Sequence, residues 1–253
     1  MPTRSIAILS GKGGVGKTTL TSNLSYILAN SLNQKTLAID ANFSMPDLSV
    51  QTGIYLYKYS IIDILKNSVS VEKAIVQTPL NFDLIPGSLT LSTLSNFSRI
   101  RNILTELIGS YDFILLDSPA GLGREVKSIL DCVDEAIIVT NPDLPSIANA
   151  MKSLRVCKDF GVKVDCVVVN KIRATKYELS NEKIFDLIDF NKVFFVPYDK
   201  NVPKSISLKV PLAKIDPYSP SAIELARISY DLVGLDFTVK SNILTKLLSF
   251  FKF

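Results

Sequence analysis

The chain has 253 residues, of which 47 % are hydrophobic and 21 % are charged, and its formal net charge is +4. This composition excludes a disordered chain, is enough for one large α/β domain, and neither requires nor excludes a nucleic-acid partner. The absence of histidine excludes histidine acid–base catalysis and imidazole metal ligands, and the three cysteines lack the C-x-x-C spacing of a zinc site.

Short apolar, β-branched runs alternate with helical patterns along the whole chain. Strands are predicted at 6–9, 36–40, 82–85, 113–117, 136–140, 164–170 and 193–196. Helices are predicted at 17–31, 60–67, 98–109, 122–131, 145–160, 180–188 and 219–234. The alternation predicts an α/β fold with a doubly wound, mostly parallel sheet of about eight strands and helices on both faces. We expect one domain over 1–234, a linker over 235–241 and a separate amphipathic helix over 242–253.

The first predicted strand leads into a glycine-rich phosphate loop that matches the G-x-x-x-x-G-K-[ST] pattern. Glycines let successive backbone N–H groups turn toward a triphosphate, and the following helix points its positive end at the same phosphates. Lys17 is predicted to reach the β- and γ-phosphates, Thr18 to coordinate Mg²⁺, and Thr19 to take a further phosphate oxygen. The predicted nucleotide-binding residues of the loop are Gly11, Lys12, Gly13, Gly14, Val15, Gly16, Lys17, Thr18 and Thr19. The expected cofactors are ATP or ADP and Mg²⁺.

Lys12 is a second lysine inside the loop. It is either a solvated side chain, the usual state of lysine, or it meets negative charge on a nucleotide beyond its own loop, which a dimer would supply. The loop with Lys12 resembles the deviant-Walker ATPases, and within them the MinD branch of the MinD/ParA family, whose signature lysine stands at this position. The resemblance covers essentially the whole chain. It implies a P-loop ATPase that forms an ATP-dependent homodimer, with Lys12 reaching across the nucleotide-sandwich interface.

Carboxylates end two of the predicted strands, at Asp40 and Asp117. Ligands of open parallel sheets bind beyond the carboxyl ends of strands, so both are candidate Mg²⁺ ligands, directly or through water. The sequence Asp-Ser-Pro-Ala-Gly from Asp117 to Gly121 resembles the switch II sequence of the MinD branch. A Gly121 backbone N–H at that place is predicted to sense the γ-phosphate.

Residues 40–47 occupy the position of the family's switch I and depart from its pattern. The family usually has a second aspartate two residues after the first, thought to position or activate the attacking water, whereas this chain has Asn42. An amide can orient water but cannot accept its proton. We therefore expect slow hydrolysis, with Lys12, Lys17, Asp40 and Asn42 as the catalytic candidates. A nucleotide-locked scaffold with negligible turnover is the alternative.

Polar or proline residues also follow two later strands, at Asn170, Pro197 and Asp199. These positions resemble the adenine-binding positions of the family. An amide can pair with the donor and acceptor edge of adenine, and a proline loop offers backbone groups and a flat apolar wall. The alternative is that each is only a turn at the end of a strand.

The end of the chain, 242–253, has the pattern of a cationic amphipathic helix. Its apolar face consists of Ile243, Leu244, Leu247, Leu248, Phe250 and Phe251. A helix of this length is about 18 Å long and cannot cross the roughly 30 Å core of a bilayer, so it would lie in the interface. It is similar to the membrane-targeting helix of the MinD branch; a helix docked on the parent domain or on a partner is the alternative.

Together these features predict an ATP-dependent, dimerising ATPase that is cytoplasmic and peripheral on the cytosolic face of the membrane. Because the phosphate loop begins at Gly11, we expect no secretory leader. The resemblance implies a role in positioning the division site or another cellular assembly, with an unidentified protein partner or activator. A ParA-like DNA-partitioning ATPase is a further alternative, although DNA is not the expected partner.

Overall fold

The computed structural model describes residues 2–88 and 99–238, and within them eight strands form a single sheet. The strands are β1 (Arg4–Leu9), β2 (Thr36–Asp40), β3 (Val76–Gln77), β4 (Asp83–Ile85), β5 (Phe113–Asp117), β6 (Glu135–Thr140), β7 (Lys163–Ile172) and β8 (Val193–Pro197). Their order across the sheet is β3-β4-β2-β5-β1-β6-β7-β8. The β3–β4 pair is antiparallel and the other pairs are parallel. The predicted doubly wound, mostly parallel sheet is confirmed.

Helices connect the strands. They are α1 (Lys17–Ser31), α2 (Leu48–Gln51), α3 (Ile61–Leu65), α4 (Val71–Ala74), α5 (Arg99–Leu107), α6 (Arg124–Leu130), α7 (Leu144–Asp159), α8 (Asn181–Ile188), α9 (Val202–Leu208), α10 (Leu212–Ile215) and α11 (Pro220–Val233). Each strand and helix predicted over 1–234 has a counterpart here, although residue 98, at the start of one predicted helix, lies outside the described residues. The prediction missed β3 and the helices α2, α4, α9 and α10, which are too short to show a clear hydrophobic period.

The central strands are buried on both faces, which explains their continuous apolar runs. Along β1, Ile6 and Ile8 pack on one face with apolar residues of α1 and α11. Ala7 and Leu9 pack on the other face in a larger apolar cluster. Both faces therefore hold β1 in place, and the phosphate loop leaves it from a fixed point.

The parallel strands all run in the same direction, so their carboxyl ends lie together on one side of the sheet. Asp117 on β5 is paired with Asp40 on β2 and with Ile8 on β1. Side chains and loops that follow these three strands must therefore meet at the carboxyl ends of the strands. The phosphate loop and both predicted switch segments lie at these ends.

An ion-pair network lies at the amino ends of the parallel strands, opposite the phosphate loop. Arg4 at the start of β1 donates two hydrogen bonds to Glu135, at 2.7 and 2.6 Å, and lies 3.4 Å from Asp165. It also donates to the Leu232 carbonyl at the end of α11. The network therefore joins β1, β6 and β7 to the C-terminal helix of the domain.

Helix α11 ends in a Schellman motif at Gly234, whose φ is 75°. The N–H of Leu235 donates to the Tyr230 carbonyl at 3.0 Å, and the Phe237 ring packs edge-on against the Tyr230 ring at 5.1 Å. The start of the predicted linker at residue 235 thus coincides with a helix end, and its first residues fold back on α11.

The rest of the predicted linker and the predicted amphipathic helix over 242–253 lie outside the described residues, so their structure stays a prediction. Within the described ranges, every helix is too short or too polar to cross a membrane.

Candidate nucleotide-binding site

The phosphate loop runs from the end of β1 to the start of α1 in a conformation that requires glycine. Gly14 and Gly16 have φ values of 74° and 104°, which residues with a side chain rarely adopt. A Cβ on Gly16 would lie 2.4 Å from Asn170 Nδ2, so this position also has no space for a side chain. Gly11 packs against Asn149 of α7, where a Cβ would lie 2.6 Å from the Asn149 Cβ. The glycines thus serve both backbone geometry and close packing.

Lys17 is the buried cation of the site, with 8 % of its surface exposed. Its Nζ donates to the Ser10 hydroxyl at 2.8 Å, and that hydroxyl donates to the Lys12 carbonyl at 2.8 Å. Within the described residues this neutral hydroxyl is the only hydrogen-bond partner of the ammonium. Burial lowers the pKa of Lys17, although Asp117 and Asp47 act in the opposite direction. A buried ammonium beside an open cavity is suited to binding a phosphate anion.

Thr18 and Asp117 form the oxygen pair expected of a magnesium site. Thr18 Oγ1 donates to Asp117 Oδ2 at 2.6 Å, and Thr21 Oγ1 lies 3.5 Å from Asp117 Oδ1. Burial raises the pKa of Asp117 to about 7, even though the hydrogen bond from Thr18 acts in the opposite direction. The described residues hold no cluster of three or more acidic or cysteine ligands. The oxygen pair fits Mg²⁺, which takes most of its ligands from phosphate and water.

Asp40 is fully buried and anchors the predicted switch I. Its Oδ1 accepts from the Asn42 N–H at 3.2 Å, and its Oδ2 accepts from the Leu48 N–H at 3.0 Å. Burial and the nearby Asp117 raise the pKa of Asp40. Asp40 therefore holds the switch segment in this structure, and its predicted roles as metal ligand and catalytic residue stay predictions.

Asn42 lines the cavity above the phosphate loop, but its amide is engaged locally. Its Nδ2 donates to the Met45 carbonyl, and its Oδ1 accepts from the Met45 N–H at 3.4 Å. The side chain thus forms a turn within switch I. It has one remaining lone pair on Oδ1 with which to orient a water molecule.

The phosphate cavity has a volume of about 580 Å³ and lies between the phosphate loop, switch I and switch II. Among the predicted nucleotide residues, it is lined by Gly13, Gly14, Gly16, Lys17, Thr18 and Thr19, whereas Gly11, Lys12 and Val15 do not line it. The Ser118 hydroxyl also lies here, buried and without a hydrogen-bond partner within the described residues. An orphaned donor beside a buried ammonium fits a phosphate-binding cavity.

The switch II turn is closed against the phosphate loop. The Gly121 N–H, predicted to sense a γ-phosphate, donates instead to the Ser10 carbonyl at 2.9 Å. The donor is already used in this conformation, so contact between Gly121 and a γ-phosphate stays a prediction. The turn would have to release Ser10 before Gly121 could contact a nucleotide.

Two carboxylates that were not predicted also line the phosphate cavity, Asp47 and Glu125. Asp47 precedes α2 at the end of switch I, and it accepts from Gln51 Nε2 at 3.1 Å. Glu125 lies in the first turn of α6 and accepts from the Ser44 hydroxyl at 3.3 Å, which joins the two switch segments. The sequence placed Asp47 inside switch I but gave no sign that either side chain faces the cavity.

A second cavity of about 270 Å³ adjoins the first and is mainly apolar. It contains the three predicted adenine positions Asn170, Pro197 and Asp199, which the fold brings together at the ends of β7 and β8. The Arg173 guanidinium stacks over the Tyr198 ring at 4.1 Å and forms part of the wall. Helix α9, which was not predicted, supplies another part. Gly16 and Thr19 line both cavities, so the two are continuous.

Lys12 is exposed at the rim of a separate groove beside the loop. The groove also carries Asp143, Arg173 and Glu178. Lys12 therefore borders this groove and does not line the phosphate cavity that Lys17 lines. This placement leaves its charge open to a second molecule.

Comparison with known proteins agrees with this geometry. The AAA domain family profile matches residues 3–160. The septum site-determining protein MinD of Synechocystis is 29 % identical over 241 residues, covering 92 % of this chain and 90 % of that protein.

Two solved structures are also similar. MinD of Pyrococcus horikoshii, complexed with Mg-ADP, is 30 % identical with a TM-score of 0.86, covering 91 % of this chain and 96 % of that one. MinD in the MinC:MinD complex of Aquifex aeolicus is 29 % identical with a TM-score of 0.84, covering 94 % and 98 %. A ParA family ATPase of Chlorobium tepidum is 21 % identical and shares the fold. This chain belongs to the MinD/ParA family of P-loop ATPases, whose members use nucleotide and Mg²⁺, and it is more similar to MinD than to ParA.

Proposed function

We propose that this chain is a MinD-like ATPase that binds MgATP, dimerises when ATP is bound, and attaches to the cytosolic face of the membrane to position the division site or another cellular assembly. The observation that supports it most is the phosphate cavity. It places a buried ammonium, an adjacent Thr18–Asp117 oxygen pair and an orphaned Ser118 hydroxyl around one opening.

Each part of the nucleotide has a counterpart in these residues. Lys17 and the N–H groups of the loop bind the phosphates, and the apolar cavity at Asn170 and Pro197 takes the base. Thr18 and Asp117 would hold Mg²⁺, which neutralises charge on the phosphate oxygens when it is bound. Burial removes most of the Lys17 surface from water, which strengthens its attraction to an anion.

Turnover is expected to be slow because of Asn42. Its amide is held in a turn by Met45 and cannot accept a proton from an attacking water. The same observation favours a second candidate, a nucleotide-locked scaffold that binds ATP with negligible hydrolysis. Phosphate release from the purified protein in the presence of lipid vesicles separates the two, because sustained release excludes the scaffold.

Dimerisation is proposed to depend on Lys12. Lys12 is exposed beside the loop and lines a groove, but it does not line the phosphate cavity of its own copy. A nucleotide bound to a second copy would provide the negative charge that compensates it. A protein partner, as MinC is in the Aquifex complex, is a further part of the proposal.

Membrane attachment is proposed from the sequence of 242–253 alone. One short amphipathic helix with a few lysines binds anionic lipid weakly, at roughly 1 kcal/mol for each lysine near the surface. Two helices in a dimer act together and multiply the avidity on the order of 10²–10⁴ if both can reach the bilayer. ATP binding would thereby control how long the protein stays on the membrane.

Vesicle sedimentation tests this function. The full chain is mixed with anionic vesicles and either MgATP or MgADP. We expect sedimentation with ATP, and its loss in Phe250→Asp, which places a charge on the apolar face predicted from the sequence. Ser249→Asp adds the same charge to the predicted polar face, so it should lose only part of the electrostatic attraction to anionic lipid and bind far better than Phe250→Asp.

Binding that is equal with both nucleotides, or unaffected by Phe250→Asp, would contradict the proposal. Retention on DNA with a steep salt dependence, unchanged in Phe250→Asp, would instead support the ParA-like alternative.

A further inference from the structure

We propose that Lys171 is a positioning residue that fixes the phosphate loop from the side of the base cavity, so that binding of the base and the shape of the loop are coupled. The proposal rests on the nucleotide site described above. Lys171 follows the predicted adenine position Asn170 and was not singled out from the sequence.

A phosphate loop whose N–H groups turn inward must turn its carbonyl groups outward, and these carbonyls need donors of their own. Lys171 Nζ donates to the Gly14 carbonyl at 2.6 Å. Asn170 Nδ2 donates to the Val15 carbonyl at 2.8 Å. Two consecutive residues of β7 therefore hold two consecutive carbonyls of the loop.

The backbone directs Lys171 to this contact. Its φ is 64°, a left-handed conformation that is unfavourable for lysine and persists only where the surroundings enforce it. Its N–H donates to Asn170 Oδ1 at 2.9 Å, and the β7–β8 register shifts between Val169 and Ile172. The irregular end of β7 thus turns the side chain toward the loop.

Lys171 also lies where the cavities meet. It lines the base cavity, the phosphate cavity and the groove at Lys12. No ion pair of Lys171 is present within the described residues. Burial lowers the pKa of Lys171, and the neighbouring cation Arg173 lowers it further. The ammonium is therefore held by the Gly14 carbonyl rather than by a carboxylate. An adenine base bound against Asn170 would therefore contact the same end of β7 that holds the phosphate loop.

The test compares Lys171→Met, which keeps the aliphatic stem, with Lys171→Arg, which keeps a charged donor. Lys204→Met on α9 is the matched control, because Lys204 is exposed and lines neither cavity. Loss of one charge-assisted hydrogen bond predicts that Lys171→Met weakens MgADP binding about tenfold by calorimetry. Lys171→Arg should restore most of this affinity, and Lys204→Met should bind as the unmodified chain does.

Hydrogen exchange without nucleotide provides the second readout. We expect faster amide exchange in Lys171→Met over residues 10–19, with no change over 113–117 in the central sheet. Unchanged affinity and unchanged exchange in the loop would overturn the proposal. Faster exchange throughout the sheet would also overturn it, because the residue would then support the fold in general.

If the unmodified chain does not bind MgADP, the proposed function fails, whereas the exchange experiment still decides whether Lys171 holds the loop. If Lys171→Met does not fold, Lys171→Gln, whose shorter side chain cannot make the same contact, takes its place with the same expected results.

Discussion

Gly16→Ala is expected to be much more harmful than Gly14→Ala, although both replace a loop glycine with positive φ. At Gly14 the new methyl group meets no atom within 4 Å, so the cost is the left-handed backbone alone, about 1 kcal/mol. At Gly16 the methyl group would also lie 2.4 Å from Asn170 Nδ2. The Asn170 amide must then move and lose its hydrogen bond to the Val15 carbonyl.

Leaving that carbonyl without its donor adds about 1–3 kcal/mol, so Gly16→Ala should lower the free energy of unfolding by about 2–4 kcal/mol in total. Urea denaturation of the nucleotide-free protein measures both variants under the same conditions. MgADP affinity should fall in the same order, since Asn170 also lines the base cavity. Equal effects of the two substitutions would show that close packing between Asn170 and the loop does not contribute to stability.

Three further predictions concern switch I, the buried carboxylate and the ion-pair network. Asn42→Asp should raise ATP turnover by roughly tenfold or more, because it supplies a proton acceptor. A phosphate-release assay measures the gain, with Asn42→Ala as the control. An equal gain in Asn42→Ala would show that the carboxylate is not the missing group. Burial raises the pKa of Asp117 from 3.8 to about 7. Between pH 5 and pH 7 the folded protein therefore holds a proton on Asp117 that the unfolded chain releases. The Tm without nucleotide should fall as the pH rises through this range. Asp117→Asn should reduce that fall, and an identical pH profile in this variant would count against the assignment. Arg4→Met leaves the half-buried Glu135 without its two hydrogen bonds and should cost about 2–4 kcal/mol in urea denaturation. Lys163→Met removes an exposed lysine 3.7 Å from the same carboxylate and should cost under about 1 kcal/mol; equal losses would contradict the special role of Arg4.

Local sequence determined the parts of the fold that depend on repeated burial. The strand with Ile6 and Ile8 could be predicted because a strand covered on both faces must be apolar throughout. Asp40 and Asp117 could be selected as candidates because each ends a predicted strand and ligands bind beyond strand ends. The register of β2 and β5 shows that the two residues lie side by side. Thr18 contacts Asp117, and their joint role as ligands of one metal ion stays a prediction.

Other features depend on contacts between segments that are distant in sequence. Glu125 faces the phosphate cavity only because α6 begins with the switch II turn beside Ser44. Lys171 reaches the loop through an irregular strand end and a positive φ, neither of which has a signal in the sequence. The use of the Gly121 N–H by Ser10 depends on how the switch II turn is closed.

In the proposed dimer, bound ATP joins two copies of the chain through Lys12. Sedimentation velocity of the purified full chain with MgATP and with MgADP tests it directly, with Lys12→Glu as the variant and MgADP affinity as the check that the site is intact. We predict a dimer only for the unmodified chain with MgATP, and a monomer for Lys12→Glu with either nucleotide. A dimer of Lys12→Glu as stable as that of the unmodified chain, or a monomer of the unmodified chain with saturating MgATP, would contradict the account.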